Sequence, residues 1–266
     1  MKLELAKFKR ALLLNHPKLP ARLIPPIISR LTNTPRWGGR ARHIIQALDF
    51  IRVNVLRRRG RLAQIAEFGV AAGEGLRQLA ILTLHYCTLH KIAVPTIYGF
   101  DSFEGMHRTD HPADIGTWSQ GDYKGNYEAL FSWLASTGLD THVKLEKGYF
   151  RDTARNMPPE FAPDFLLIDC DYYTSTRDVF DALKERLPSG AVVYFDDLGT
   201  NYWNRNLGEE RLIHEVNTGE LGPQYHLERL TEKLWVWSNS DKPVRKSEER
   251  QLMIPLHMDT RLGDFY

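Results

Sequence analysis

Cysteine and uninterrupted apolar sequence are both scarce in this 266-residue chain, and each scarcity removes a class of protein. Cys87 and Cys170 are far apart and neither belongs to a C-x-x-C pair, so no disulfide framework and no cysteine zinc site is expected. His85 and His90 flank Cys87 on a stretch with helical spacing, where packing is the simpler account. No apolar run approaches the roughly 20 residues that a membrane span needs. Pro17, Pro20, Pro25 and Pro26 break the apolar character of the N-terminal region, so no secretory leader is expected and the cytoplasm is the expected setting. What remains is an ordinary globular composition, 42% hydrophobic and 26% charged, long enough for one large domain or one domain with an extension.

The net charge of +2 conceals an asymmetry. Residues 1–61 carry 15 lysines and arginines against 2 acids, whereas the remainder is acidic by 11 charges. A basic segment on an acidic body can bind nucleic acid or an anionic surface. The apolar residues within it, Leu12, Leu13, Leu14, Ile24, Ile27 and Ile28, favour docking on the chain's own body or on a second subunit as a homo-oligomer. Nucleic acid is therefore not the expected partner. The division implied is a basic helical extension at 1–60, a catalytic domain at 61–240 and a polar tail at 241–266. Within the extension, Ile44, Ile45, Leu48, Ile51, Val55 and Leu56 recur at helical spacing from Arg40 to Arg59, before Gly60.

The body alternates short apolar runs with helical patterns, which predicts an α/β fold with a mostly parallel sheet. Leu62 to Phe68 is a strand that ends in E-F-G-V-A-A-G-E-G, residues 67–75. Gly69, Gly73 and Gly75 permit a sharp turn and the close approach of a ligand to the following helix. Their order, G-x-x-x-G-x-G after an acid, differs from the dinucleotide fingerprint and resembles the loop of S-adenosylmethionine-binding proteins. A second strand from Thr96 ends at Asp101, an acid placed to accept hydrogen bonds from ribose hydroxyls. Residues 106–125 have no apolar period, as expected of a functional loop that brings His107, His111 and Trp118 to a substrate. Asp152 follows the third strand, near the base of a nucleoside cofactor.

Two further strands end in paired acids. F-L-L-I-D-C-D-Y-Y-T-S-T places Asp169 and Asp171 at one strand end, and A-V-V-Y-F-D-D-L-G places Asp196 and Asp197 at another. Consecutive β-α-β units put these ends at one edge of the sheet, so the acids converge on a crevice. Their mutual repulsion calls for protons or a cation, most simply Mg²⁺ held by oxygen ligands. An aspartate there also has the right chemistry to accept a hydroxyl proton; Asp169 is the first choice and Asp171, two residues on, is the competitor. Tyr202 and Trp203, in the loop beyond, are candidates to stack on a substrate ring.

Taken together, E-F-G-V-A-A-G-E-G, Y-G-F-D-S-F-E-G, K-G-Y-F-R-D-T, I-D-C-D-Y-Y-T-S-T and Y-F-D-D-L-G resemble the macrocin-type family of O-methyltransferases, which methylate sugar hydroxyls in macrolide antibiotics. The resemblance implies a Rossmann-like class I methyltransferase: a seven-stranded, mostly parallel sheet with the last strand antiparallel and helices on both faces. It implies S-adenosylmethionine held by Glu67, Gly69, Gly73, Asp101, Ser102 and Asp152, with Gly75 completing the loop. It also implies Mg²⁺ held by Asp169, Asp196 and Asp197, and a small-molecule hydroxyl acceptor, a sugar or natural-product glycoside. Cys170 and Tyr172 depart from the Gly or Val and the Leu usual in the fourth motif.

Two rivals belong to other classes. A haloacid-dehalogenase-like phosphohydrolase also uses D-x-D after a buried strand, with Mg²⁺, but on its first strand, whereas here a glycine loop and other strands come before it. A non-enzymatic anchoring or nucleic-acid module would rest on the basic N-terminal segment alone.

Overall fold

The computed structural model describes residues 40–56, 64–114, 118–200 and 202–241. The proline-interrupted region before Trp37, the run Arg57 to Arg59 and the tail with its patch Met253 to Met258 lie outside the described residues. So does most of the basic segment on which the anchoring reading rests.

Five short strands pair in parallel; the four inner ones are buried on both faces, the pattern of a sheet covered twice, whereas the edge strand V-K-L-E-K is half exposed. They are β1 (Gln64–Phe68), β2 (Thr96–Asp101), β3 (Val143–Lys147), β4 (Phe165–Ile168) and β5 (Val192–Phe195). A closing hairpin adds β6 (Tyr225–Arg229) and β7 (Leu234–Asn239). The order across the sheet is β3-β2-β1-β4-β5-β7-β6; β1 to β5 pair in parallel, and β7 runs antiparallel to both of its neighbours. The seven-stranded sheet with an antiparallel last strand is as the sequence motifs imply.

Alternation along the strands divides the core in two. Phe165 and Leu167 of β4 join Ile65, Ile97, Val192 and Tyr194 on one face, while Leu166 and Ile168 join Phe68, Phe100, Val193 and Phe195 on the other. The first face is covered by α1 (Arg40–Ile51), α2 (Glu74–His90) and α3 (Tyr127–Thr137). The second is covered by α5 (Tyr173–Leu183) and α6 (Gly208–Asn217); a single turn, α4 (Phe150–Thr153), sits between β3 and β4.

The helix expected from Arg40 to Arg59 is regular only to Ile51 and continues as a π-helical turn, Arg52–Leu56. Ile44, Leu48 and Ile51 are fully or almost fully buried against α2 and the sheet. Each contributes about 1.5–3 kcal/mol by leaving water, so α1 belongs to the same core as the sheet. In α3, Leu130 and Leu134 point inward as their spacing predicts, but Phe131 is exposed because adjacent helical residues cannot share a face.

The helix after β4 starts at Tyr173, within two residues of the D-C-D turn. The cause is a distant residue. Asp114, in the loop after β2, accepts hydrogen bonds from the Thr174 backbone N–H (3.0 Å) and hydroxyl (2.6 Å), satisfying the helix's first turn from outside its own segment.

Candidate active site

The carboxyl ends of β1, β2, β4 and β5 open into a cavity of about 620 Å³, within the range of small-molecule sites. At one end lie Gly69, Ala71, Asp101 and Ser102; across from them stand Asp169, Asp171, Asp196 and Asp197, and the outer wall includes His107, Trp118, Tyr123 and Tyr149.

The first half of the site is backbone geometry. Gly69 has φ +92° and its N–H donates to the Phe100 carbonyl (3.0 Å), so the chain leaves β1 hard against β4. A methyl group on Gly69 would come within 1.7 Å of the Asp169 carbonyl oxygen, so only glycine fits. Asp101 ties the two loops together. One of its oxygens accepts from the N–H groups of Val70 and Ala71, both at 2.8 Å, and the other from Phe103 at 2.5 Å. These three hydrogen bonds hold the Asp101 carboxyl group rigidly at the cavity edge.

The second half is the acid cluster. β4 ends at Ile168, and Asp171 stands in a left-handed turn (φ +59°), unusual for a residue with a side chain. Asp169 and Asp171 thus reach the same cavity through this turn, not through strand alternation. A cation stands among the acids. Arg40, the first residue of α1, places Nη2 at 2.8 Å from Asp169 and 2.6 Å from Asp196, and Nη1 at 3.8 Å from Glu67. Burial pushes Asp169 up to about 7 against the pull of Arg40, with Asp196 and Asp197 adding repulsion. Burial and the Asp171 and Asp196 charges push Asp197 up to about 7 as well, and burial with Asp169 and Asp196 brings Asp171 to about 6.

Asp196 goes the other way. Burial raises it, but the Arg40 guanidinium and the hydrogen bond donated by the Tyr194 hydroxyl outweigh burial and hold it below the ordinary carboxylate value. Lys233 adds a hydrogen bond to the Asp196 carbonyl. Arg40 therefore stabilises the charge on Asp196, while burial keeps Asp169 raised even though it touches the same nitrogen. Glu67 is fully buried, neither of its oxygens has a hydrogen-bond partner among the described residues, and burial raises it well above the usual range.

The structure brings together Gly69, Asp101, Ser102, His107, Trp118, Asp169, Asp171, Asp196 and Asp197 of the residues picked from sequence, whereas His111 stacks on Tyr173 and does not line the cavity. Gly73 and Gly75 shape the loop without lining the cavity: Gly73 makes room for Leu130 and Gly75 for Glu67 and Arg40. Glu67 lies beneath the cavity floor. Asp152 is exposed beside Arg151 and does not line the cavity. Tyr202, 95% exposed, and Trp203, which lies under the Arg229 guanidinium, also stay outside it. The expected metal ligands Asp169, Asp196 and Asp197 all line the cavity. Arg40 stands between two of the three, and no group of three metal-ligating side chains forms among the described residues.

Sequence reasoning missed several lining residues. Ser175 and Asp178 follow Asp171 at i+4 and i+7, a spacing that was legible once the helix start was known. Arg151 lines the cavity where its neighbour Asp152 does not, and nothing in a one-turn helix announces which side faces in. Arg40 was one cation among many, separated from the acids by the whole first β-α unit.

This strand order, with a glycine loop after β1, an acid ending β2 and the cavity at the strands' carboxyl edge, defines a Rossmann-like methyltransferase of class I. The chain belongs to the macrocin O-methyltransferase (TylF) family, whose model matches residues 53–218, and is an S-adenosylmethionine-dependent O-methyltransferase of the sugar and natural-product type. Among solved structures, it is similar to the calicheamicin methyltransferase CalS11 at 22% identity, covering 89% of this chain and 91% of that one with a TM-score of 0.58. It is also similar to the O-methyltransferase NovP at 19% identity, covering 76% of this chain and 79% of that one with a TM-score of 0.53. At such identities these two likenesses speak for the fold. No curated protein matches by sequence.

Proposed function

We propose that this enzyme methylates a hydroxyl of a sugar or natural-product glycoside, with Asp169 as general base. The observation that carries the reading is Asp169 itself, held by Arg40 at 2.8 Å at the cavity edge and with its carboxyl pushed up to about 7. A base matched to neutral pH is the most effective one for a weakly acidic hydroxyl.

The residues divide the work by position. Gly69, Asp101 and Ser102 form the donor end, where the open backbone admits a nucleoside and Asp101 offers its remaining lone pairs to ribose hydroxyls. Bound there, S-adenosylmethionine supplies the electrophilic methyl group. The excess of carboxylates facing the donor end suits a sulfonium charge. Trp118, Tyr123 and Tyr149 supply flat apolar surface of the kind that receives a sugar ring, with His107 and Arg151 as polar partners at the rim. Fixing hydroxyl and methyl in line then supplies much of the rate. Asp169 takes the hydroxyl proton as the hydroxyl oxygen bonds to the methyl carbon and the methyl–sulfur bond breaks, which leaves the donor as its neutral thioether, S-adenosylhomocysteine. No step runs here through the Mg²⁺ implied by the sequence motifs; Arg40 stands between two of its three expected ligands.

The test is a pair of variants. Asp169→Asn should lower kcat by about 10²- to 10⁴-fold and leave the calorimetric affinity for S-adenosylmethionine unchanged. Wild-type kcat should fall as pH drops through about 7, where Asp169 becomes protonated. Asp101→Ala should weaken the donor. An Asp169→Asn enzyme with wild-type turnover removes the base assignment, and intact protein that binds no donor removes the whole reading.

A further inference from the structure

Of the two departures in the fourth motif, Cys170 lines the cavity and Tyr172 does not. Tyr172 is 3% exposed, so its ring and hydroxyl are turned towards neighbours inside the protein. Its backbone fixes where the side chain starts. The residue is the extended N-cap of α5 (φ −87°, ψ 140°); its N–H donates to the Cys170 carbonyl at 2.6 Å, and its carbonyl accepts from the Thr176 N–H at 3.0 Å and hydroxyl at 2.9 Å. The side chain therefore leaves directly from the turn that carries Asp169 and Asp171, and whatever it holds is held relative to those acids.

Both limbs of the loop after β2, 106–114 and 118–125, meet this one side chain. They run together at their base, where the Met106 N–H donates to the Asp122 carbonyl (2.8 Å) and the Gly121 N–H to the Met106 carbonyl (2.9 Å). On the first limb, the His107 ring meets the Tyr172 ring edge to face, with centroids 5.3 Å apart at 81°, an arrangement that aromatic rings favour. On the second, the Tyr172 hydroxyl donates to the Trp118 carbonyl at 3.4 Å, and the Trp118 ring packs on Tyr123 at 70° with centroids 5.0 Å apart. His107, Trp118 and Tyr123 all line the cavity. The leucine usual at this position could neither donate to a carbonyl nor offer a ring face. We propose that Tyr172 is a positioning residue that sets the shape of the acceptor wall. Its ring places His107, and its hydroxyl places Trp118 and, through Trp118, Tyr123. The acceptor such a wall favours is a pyranose ring received on the Trp118–Tyr123 surface with one hydroxyl turned towards the acids. A misplacement of about 1 Å away from the reacting atoms can cost about 10²-fold in rate, so the hold governs which rings are methylated. That use of the wall rests on the methyl-transfer reading above; the hold of Tyr172 on the loop does not.

The test is magnetic resonance on the full-length chain carrying fluorotryptophan and isotope-labelled histidine, with the Trp118 and His107 lines assigned through Trp118→Phe and His107→Gln. Tyr172→Phe removes the hydroxyl and keeps the ring face, so the Trp118 line should shift or broaden while the His107 line stays. Tyr172→Leu removes both, and both lines should move; if that variant does not fold, Tyr172→Phe decides alone. Methyl α-D-glucopyranoside is the acceptor probe, titrated against the Trp118 line with S-adenosylhomocysteine present. Tyr172→Phe should need about two- to tenfold more sugar for half-saturation, the effect of one net hydrogen bond, with its calorimetric affinity for S-adenosylmethionine unchanged. A Trp118 line identical in wild type and Tyr172→Phe overturns the hold. Equal half-saturation overturns the role in acceptor selection, as does a Trp118 line that the sugar never moves. Intact protein that binds no S-adenosylmethionine, with the Trp118 shift still seen, removes the methyltransferase reading and leaves the hold standing.

Discussion

Asp114 holds the loop after β2 and the segment that follows β4 in one piece, and removing its carboxylate tests that connection. The side chain is 8% exposed and accepts three hydrogen bonds: from the Thr174 N–H at 3.0 Å, the Thr174 hydroxyl at 2.6 Å and the Thr109 hydroxyl at 2.8 Å. The first two cap α5, whose N-terminal residue follows directly on the D-C-D turn. The third fixes the loop that brings His107 to the cavity wall. A lost N-cap costs about 1 kcal/mol, and hydrogen bonds to a charged group contribute about 1.5–3 kcal/mol each before water replaces them. With water reaching the vacated site, a net loss of about 3 kcal/mol is expected for Asp114→Ala. In a domain of this size that lowers Tm by roughly 6–12 °C. Differential scanning calorimetry measures this directly, and Asp114→Asn, which can still accept from Thr174, should recover part of it. Kinetics should show the acceptor KM rising while donor affinity holds, because Gly69 and Asp101 are not touched. A Tm within about 2 °C of wild type, or a loss of donor affinity equal to that of acceptor, refutes the connection.

Two more perturbations probe the scaffold and the acid cluster. Gly69→Ala forces a methyl to within 1.7 Å of the Asp169 carbonyl at φ +92°, so a loss beyond about 4 kcal/mol is expected; soluble, cooperatively folding protein with the wild-type Tm would show that β1 and β4 can separate there. Asp197 has its carboxyl raised from 3.8 to about 7, so the folded state favours its protonated form. The stability this contributes is fully present below about 3.8 and is lost as pH rises through about 7. Asp197→Asn cannot ionise and should therefore have a higher Tm than wild type at pH 8, by a gap that narrows as pH falls towards 3.8. A Tm gap that does not grow with pH removes that account.

Much of the architecture was legible locally. The runs F-L-L-I and A-V-V-Y-F declare buried strands because both of their faces are apolar, and the glycine loop declares the turn that follows β1. Asp169, Asp196 and Asp197 were legible as a cluster because β-α-β connections force neighbouring strand ends to one edge. The helix start at Tyr173 was not, because its cap is supplied by Asp114, sixty residues earlier in the chain. Nor was the position of Asp152, Tyr202 and Trp203 outside the cavity lining, since one-turn helices and loops carry no period that fixes which side faces in.

The amino-acid order by itself determined the sheet, the position of the acids and the donor loop, since all three follow from periodicity, turn residues and the handedness of the crossovers. Only the tertiary structure decided what neutralises those acids. Arg40 lies 129 residues before Asp169 and 156 before Asp196, and no local pattern links them. Packing of α1 against the sheet carries its guanidinium to the strand ends, and charge compensation in a buried site is settled by which cation the fold delivers there.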